Sequence, residues 1–149
     1  MLGRTINKRL WLARAVVVYG LLIFSFLAWL YLAEPLQHIE RFGISANGVP
    51  ESIAFLRVGP GAMFLFLAVT ALYGLLRSQM LRTSLIILVA FNACVVGARL
   101  YGIALDGVST MQLTELRDEG TSWLLFVAAL WALRGVPMRG RSGGGGGWN

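Results

Sequence analysis

The chain is 149 residues long, 57% apolar and only 13% charged, with a net charge of +6 and a mean hydropathy of +0.70. An average soluble domain is about 45–50% apolar and about 25% charged, so a water-exposed fold of this size has too little interior for this much apolar surface. One cysteine, Cys94, and one histidine, His38, exclude an intrachain disulfide and a multi-histidine or thiolate metal centre within one chain, and the basic residues lie between apolar runs rather than on one polar face, which argues against nucleic-acid binding.

The first 14 residues carry Arg4, Lys8, Arg9 and Arg14 and read as a basic cytoplasmic segment. An apolar run follows over residues 15–33 and stops at Glu34-Pro35. It is longer than a signal-peptide core, and cleavage after Ala33 would put bulky Tyr31 where a small residue is needed, so it reads as a membrane span. In the next connection, Leu36, Ile39 and Phe42 recur at helical spacing and predict a short helix lying in the membrane interface. Asn47-Gly48 predicts a turn, Pro50-Glu51-Ser52 a helix start, and His38 a solvated loop residue.

Further spans are predicted over residues 58–76 and 84–105. A helix needs about 20 residues to cross about 30 Å of hydrocarbon, and both meet that. A fourth span has a short apolar core, Ser122 to Leu133, and reaches spanning length only by starting near Leu113, which draws Glu115 and Glu119 to the membrane edge. Gly59-Pro60-Gly61 should loosen the first turns of the second span. The small residues Ala90, Cys94, Gly97 and Ala98 on the third should allow close helix packing. Trp11, Trp29, Tyr31, Trp123 and Trp131 fall near span ends, as interfacial aromatic belts do. Residues 135–149 form a glycine-rich tail, expected to be a flexible cytoplasmic extension. The expected fold is all-α: an integral membrane four-helix bundle over residues 15–134.

Charge orients it. The N-terminal segment, Arg77 and Arg82 between spans two and three, and Arg134, Arg139 and Arg141 after span four give one side nine basic residues and no acid. All seven acidic residues lie on the other side or at its edge, so the positive-inside rule predicts cytoplasmic N and C termini.

Arg99 is the most informative residue. A charge deep in lipid costs about 2.5–3.5 kcal/mol on insertion scales, so it should face the bundle and find an acid. Asn92, Arg99 and Asp106, spaced by seven, share its helix face, but Asp106 is about 10 Å away along the axis, so Glu119 on another span is the better partner. Glu115, Glu119 and Ser122 form a stripe on the fourth helix, while Asp118 points elsewhere. Together Glu51, Arg57, Asn92, Arg99, Asp106 and Glu119 make a candidate polar cluster at the outer mouth, either a ligand site or an ion-pair network that fixes helix register. No phosphate loop, HExxH, GxSxG or CxxC occurs, so no cofactor and no catalytic residue is expected.

Pro35, Gly43-Ile44, Glu51, Arg57 with Gly59, Arg99-Leu-Tyr-Gly102, Asp106-Gly107 and Glu119 together resemble a family of small bacterial four-helix membrane proteins known only as a domain of unknown function. The likeness covers roughly residues 15–134, and Pro60 interrupts its glycine pair after Arg57. It implies an inner-membrane bundle and no particular activity. Three functions remain open. The first is a non-catalytic accessory subunit of a membrane complex, meeting lipid and either a protein partner or further copies of itself. The second is a binder or enzyme for a small lipophilic molecule, and the third a small oligomeric transporter. The topology has a direct check: green fluorescent protein fused after Asn149 should fluoresce, and alkaline phosphatase fused after Glu51 should be active; the reverse pattern would invert the orientation.

Overall fold

The computed structural model describes residues 2–40 and 49–136, with side chains from Lys8 onward. Among these residues the chain is helical and has no strand. The helices are α1 (Leu2–Ala33), α2 (Pro35–Glu40), α3 (Pro50–Leu56), α4 (Ala62–Leu76), α5 (Leu81–Asp106) and α6 (Thr110–Ala132). A π-helical turn, Arg57–Gly61, joins α3 to α4, and a 3₁₀ turn, Ser78–Met80, joins α4 to α5. Three stretches are long and apolar enough to cross a membrane: Lys8–Ala33, Pro50–Leu76 and Ser78–Asp106. Helix α6 is long enough, at 23 residues, but its first half holds Glu115, Arg117, Asp118 and Glu119.

The helices form a ring in which α1 packs on α4 and α6, and α5 packs on α4 and α6. Few side chains of the three apolar stretches are buried within the protein: 22%, 17% and 11% of their most apolar windows. Large apolar residues such as Leu22, Phe26, Phe66, Val69, Leu100 and Leu124 face outward instead. Such a surface is stable where the surroundings are themselves apolar.

The core is concentrated at one end. Ala13 and Val17 of α1, Leu67 and Ala71 of α4, Leu81, Leu85 and Leu88 of α5, and Phe126, Ala129 and Leu133 beside α6 form one buried cluster. These positions fall early in α1 and α5 and late in α4 and α6, so the packed end is the one that holds the α4–α5 turn. Arg14 belongs to the same end, where its guanidinium donates to Ser78 Oγ at 2.8 Å. Two glycines permit the packing. Gly20 lies against Phe126, which a Cβ would meet at 3.0 Å, and Gly74 lies against Ser84, whose Oγ a Cβ would meet at 2.5 Å. Ser84 in turn donates to the Thr70 carbonyl at 2.8 Å, so α4 and α5 are held backbone to side chain.

At the other end, the chain break at Glu34-Pro35 follows from chemistry: Pro35 has no N–H to continue α1 but suits the first position of α2. Helix α2 buries Pro35, His38 and Ile39. It packs against α1 and α3, and His38 is covered rather than solvated. Phe42, Gly43-Ile44, Asn47-Gly48 and most of the glycine-rich tail, with Arg139 and Arg141, lie outside the described residues.

Pro60 sits inside a continuous helical path. A proline there lacks a donor and crowds the carbonyl four residues back; the wider π turn relieves both. The Ala62 N–H accordingly reaches the Arg57 carbonyl, five residues earlier.

The small residues of α5 do not pack as the sequence suggests. Ala90, Cys94, Gly97 and Ala98 are exposed, and a Cβ on Gly97 would meet nothing within 4 Å. Replacing Gly74 with Ala should therefore lower thermal stability in detergent by about 1–3 kcal/mol through overpacking against Ser84, whereas Gly97→Ala should cause no such loss. Equal effects at both sites would show that the α4–α5 approach is not close.

Candidate functional site: a cavity with an ion pair on its wall

Away from the packed end, the ring encloses a cavity of about 770 Å³. Every long helix contributes to it. From α1 come Tyr19, Ile23, Phe24, Leu27 and Tyr31; from α5, Phe91, Asn92, Val95 and Arg99; from α6, Glu115, Asp118, Glu119, Thr121, Ser122 and Phe126. Pro60, Met63 and Phe64 line the α4 side, and His38 and Ile39 of α2 form part of the wall. Asp118 and Thr121 line the cavity and are also exposed, so it reaches the outside along α6.

The α5–α6 hairpin sets the polar wall. Gly107 ends α5 at φ +92°, a conformation that side-chain-bearing residues rarely adopt, and its N–H closes the last turn on the Ile103 carbonyl at 3.1 Å. Ser109 then starts α6 through a reciprocal cap. The Gln112 N–H donates to Ser109 Oγ and the Ser109 N–H donates to Gln112 Oε1, each at 3.1 Å. With the register fixed from Thr110, the Glu115–Glu119–Ser122 stripe runs down the face that lines the cavity.

Arg99 and Glu119 meet on that wall. Arg99 Nε donates to Glu119 Oε2 at 2.5 Å, and Arg99 Nη2 donates to Glu119 Oε1. Both carboxylate oxygens are engaged by one guanidinium edge, the fork geometry that gives arginine–carboxylate pairs their strength and direction. The two side chains are only 24% and 21% exposed. Asn92, buried one level deeper, donates its amide to the Leu88 carbonyl at 2.8 Å. Tyr19 Oη lies 3.0 Å from Ser122 Oγ, which itself donates to the Asp118 carbonyl, and this bridges α1 to α6.

The remaining members of the expected cluster lie elsewhere. Glu51 and Asp106 are exposed and line no part of the cavity. Arg57 is exposed and donates from Nε to the Leu32 carbonyl at 3.1 Å, capping the end of α1. Asp118, expected to point elsewhere, instead lines the cavity at its exposed rim and pairs there with its neighbour Arg117 at 2.9 Å.

Aromatic rings make up the opposite wall, which sequence reasoning did not single out. Phe24 stacks on Phe64 and on Phe126, each at 6.2 Å between centroids, and meets Phe91 edge-on at 6.3 Å. Tyr31 turns inward from its expected belt position to stack on Phe64 at 5.7 Å and to meet the His38 ring edge-on at 4.6 Å. The signal was available: Phe24 and Tyr31 are seven apart on α1, so they share one helix face. The indole nitrogen of Trp123 is buried without a hydrogen-bond partner.

Among the described residues no group of His, Cys, Asp and Glu is arranged to hold a metal ion. Comparison with known proteins is equally unassigned: no family model, no curated protein and no solved structure matches this chain.

Removing one partner of the fork should strand the other in an apolar wall. Arg99→Ala or Glu119→Ala should each destabilise the folded protein by about 3 kcal/mol in mixed-micelle unfolding, while the double substitution Arg99→Met with Glu119→Leu should recover most of that. Single variants as stable as the parent would show that the pair carries no weight in the fold.

Proposed function

We propose that this is a four-span protein of the bacterial inner membrane, with both termini cytoplasmic, that binds a small lipophilic molecule in the outer half of the bundle. The cavity carries this reading: its walls are chiefly aromatic and aliphatic, with polar groups confined largely to α5 and α6. About 300–1,000 Å³ is the usual range for small-molecule pockets, and a few placed polar groups in an apolar wall is their usual chemistry. The side placement is supported by charge, because Arg14, Arg77, Arg82 and Arg134 belong to the end opposite the cavity.

A second reading rests on a different observation. The exposed face of α5, with Ala90, Cys94, Gly97 and Ala98, suits close approach of another membrane helix, and an accessory subunit would use it in this way. Under that reading Gly97→Leu should dissociate an oligomer or a complex isolated in mild detergent. A parent protein that runs as a lone monomer would remove this reading.

The binding proposal is tested by filling the cavity. Protein reconstituted in nanodiscs should bind the neutral apolar dye N-phenyl-1-naphthylamine above the level of empty discs, and Val95→Trp should abolish the excess while leaving the helical circular dichroism unchanged. No excess in the parent protein, or an undiminished excess in the filled variant, would overturn it.

A further inference from the structure

The charge balance of the cavity says what kind of molecule would fit. Its wall holds one guanidinium, Arg99, and three carboxyl groups, Glu115, Asp118 and Glu119. The one guanidinium is already committed, since the donors of its forked edge meet both oxygens of Glu119. Asp118 is bound at the rim by Arg117. Glu115 is different. It is half-buried, lines the cavity, and makes no hydrogen bond or ion pair among the described residues. His38 also lines the wall, its ring set edge-on against Tyr31 on the α2 side.

Arg99 attracts Glu115 but is already forked onto Glu119, so the wall holds more carboxylate than cation, and a cation brought beside Glu115 relieves that excess. The opposite wall reinforces the preference. Phe24, Phe64, Phe91 and Tyr31 present aromatic rings to the same space, and ring faces attract cations as well as apolar surface. An anionic headgroup meets the reverse situation: it would have to displace Glu119 from Arg99 and sit near Glu115.

Building on the binding reading above, we propose that the occupant is a lipophilic cation, a protonated amine or a quaternary onium group on an apolar body, with its charge beside Glu115 and its body among the phenylalanine rings. Glu115 then acts as the specificity residue and the Arg99–Glu119 fork as a fixed part of the wall. A hydrophobic body with one positive charge also suits a site that opens along the acidic edge of α6.

Tetraphenylphosphonium and tetraphenylborate, nearly equal in size and opposite in charge, make the test. Binding to the protein in nanodiscs is measured by equilibrium dialysis against empty discs, beside the neutral dye. The expected result is saturable binding of the phosphonium, at least tenfold tighter than any binding of the borate. Glu115→Gln should weaken phosphonium binding at least tenfold and leave the neutral dye unaffected. Equal or tighter binding of the borate, or a phosphonium affinity untouched by Glu115→Gln, overturns the charge assignment while the dye result leaves the cavity reading standing. Failure of the dye and both ions together overturns the cavity reading itself. Glu115→Asp, which keeps the charge, should retain phosphonium binding, and its loss there as well as in Glu115→Gln would count against a charge-based role.

Discussion

The forked pair between Arg99 and Glu119 is the interaction on which the cavity end of the molecule depends. It joins α5 to α6 well below their connecting turn, at a level where the two helices have no buried apolar core to hold them together. Arginine at this depth is costly in an apolar medium unless it is paired and hydrogen-bonded, so it acts as a constraint on geometry: any arrangement of α6 that moves Glu119 from this face leaves a charge exposed to hydrocarbon. The Gly107 turn and the Ser109–Gln112 cap serve the same end, since they set the rotation of α6 that brings its carboxylate stripe inward.

Two kinds of packing divide the molecule along its length. Near the α4–α5 turn, small residues let the helices touch, with Gly74 on Ser84 and Gly20 on Phe126. Toward α2, large rings keep the helices apart, and contacts between rings replace contacts between backbones. The hollow therefore arises from the side chains themselves. Phenylalanine and tyrosine on α1, α4 and α5 space the ring of helices, and α2 folds Ile39 and His38 over the space they create.

Much of this was legible in the residues, and the parts that were not have identifiable causes. The apolar runs mark the long helices because their composition admits no other solvent, and Arg99 points to Glu119 because a charge in such a run requires an acid. Arg57 and Glu51 were misplaced for a geometric reason. In an unbroken α-helix Arg57 would lie seven residues from Phe64 and share its face, but the wider π turn at Pro60 rotates less per residue than an α-helix, so the register slips and Arg57 meets the Leu32 carbonyl instead. His38 and Tyr31 were misread because interfacial composition resembles cavity-lining composition: both favour amphipathic rings, and only the fold of α2 distinguishes them. The start of α6 at Thr110 rather than near Leu113 was written in Ser109 and Gln112, a capping pair at the expected spacing.

The uneven packing also bears on transport. The hollow stops at Phe126, which is buried in the packed end together with Leu85 and Leu88. It opens along α6, and a passage through the opposite end would require prising apart Gly74 and Ser84 and breaking the serine's bond to the Thr70 carbonyl. In this arrangement the hollow is a blind vestibule and not a channel through the bundle.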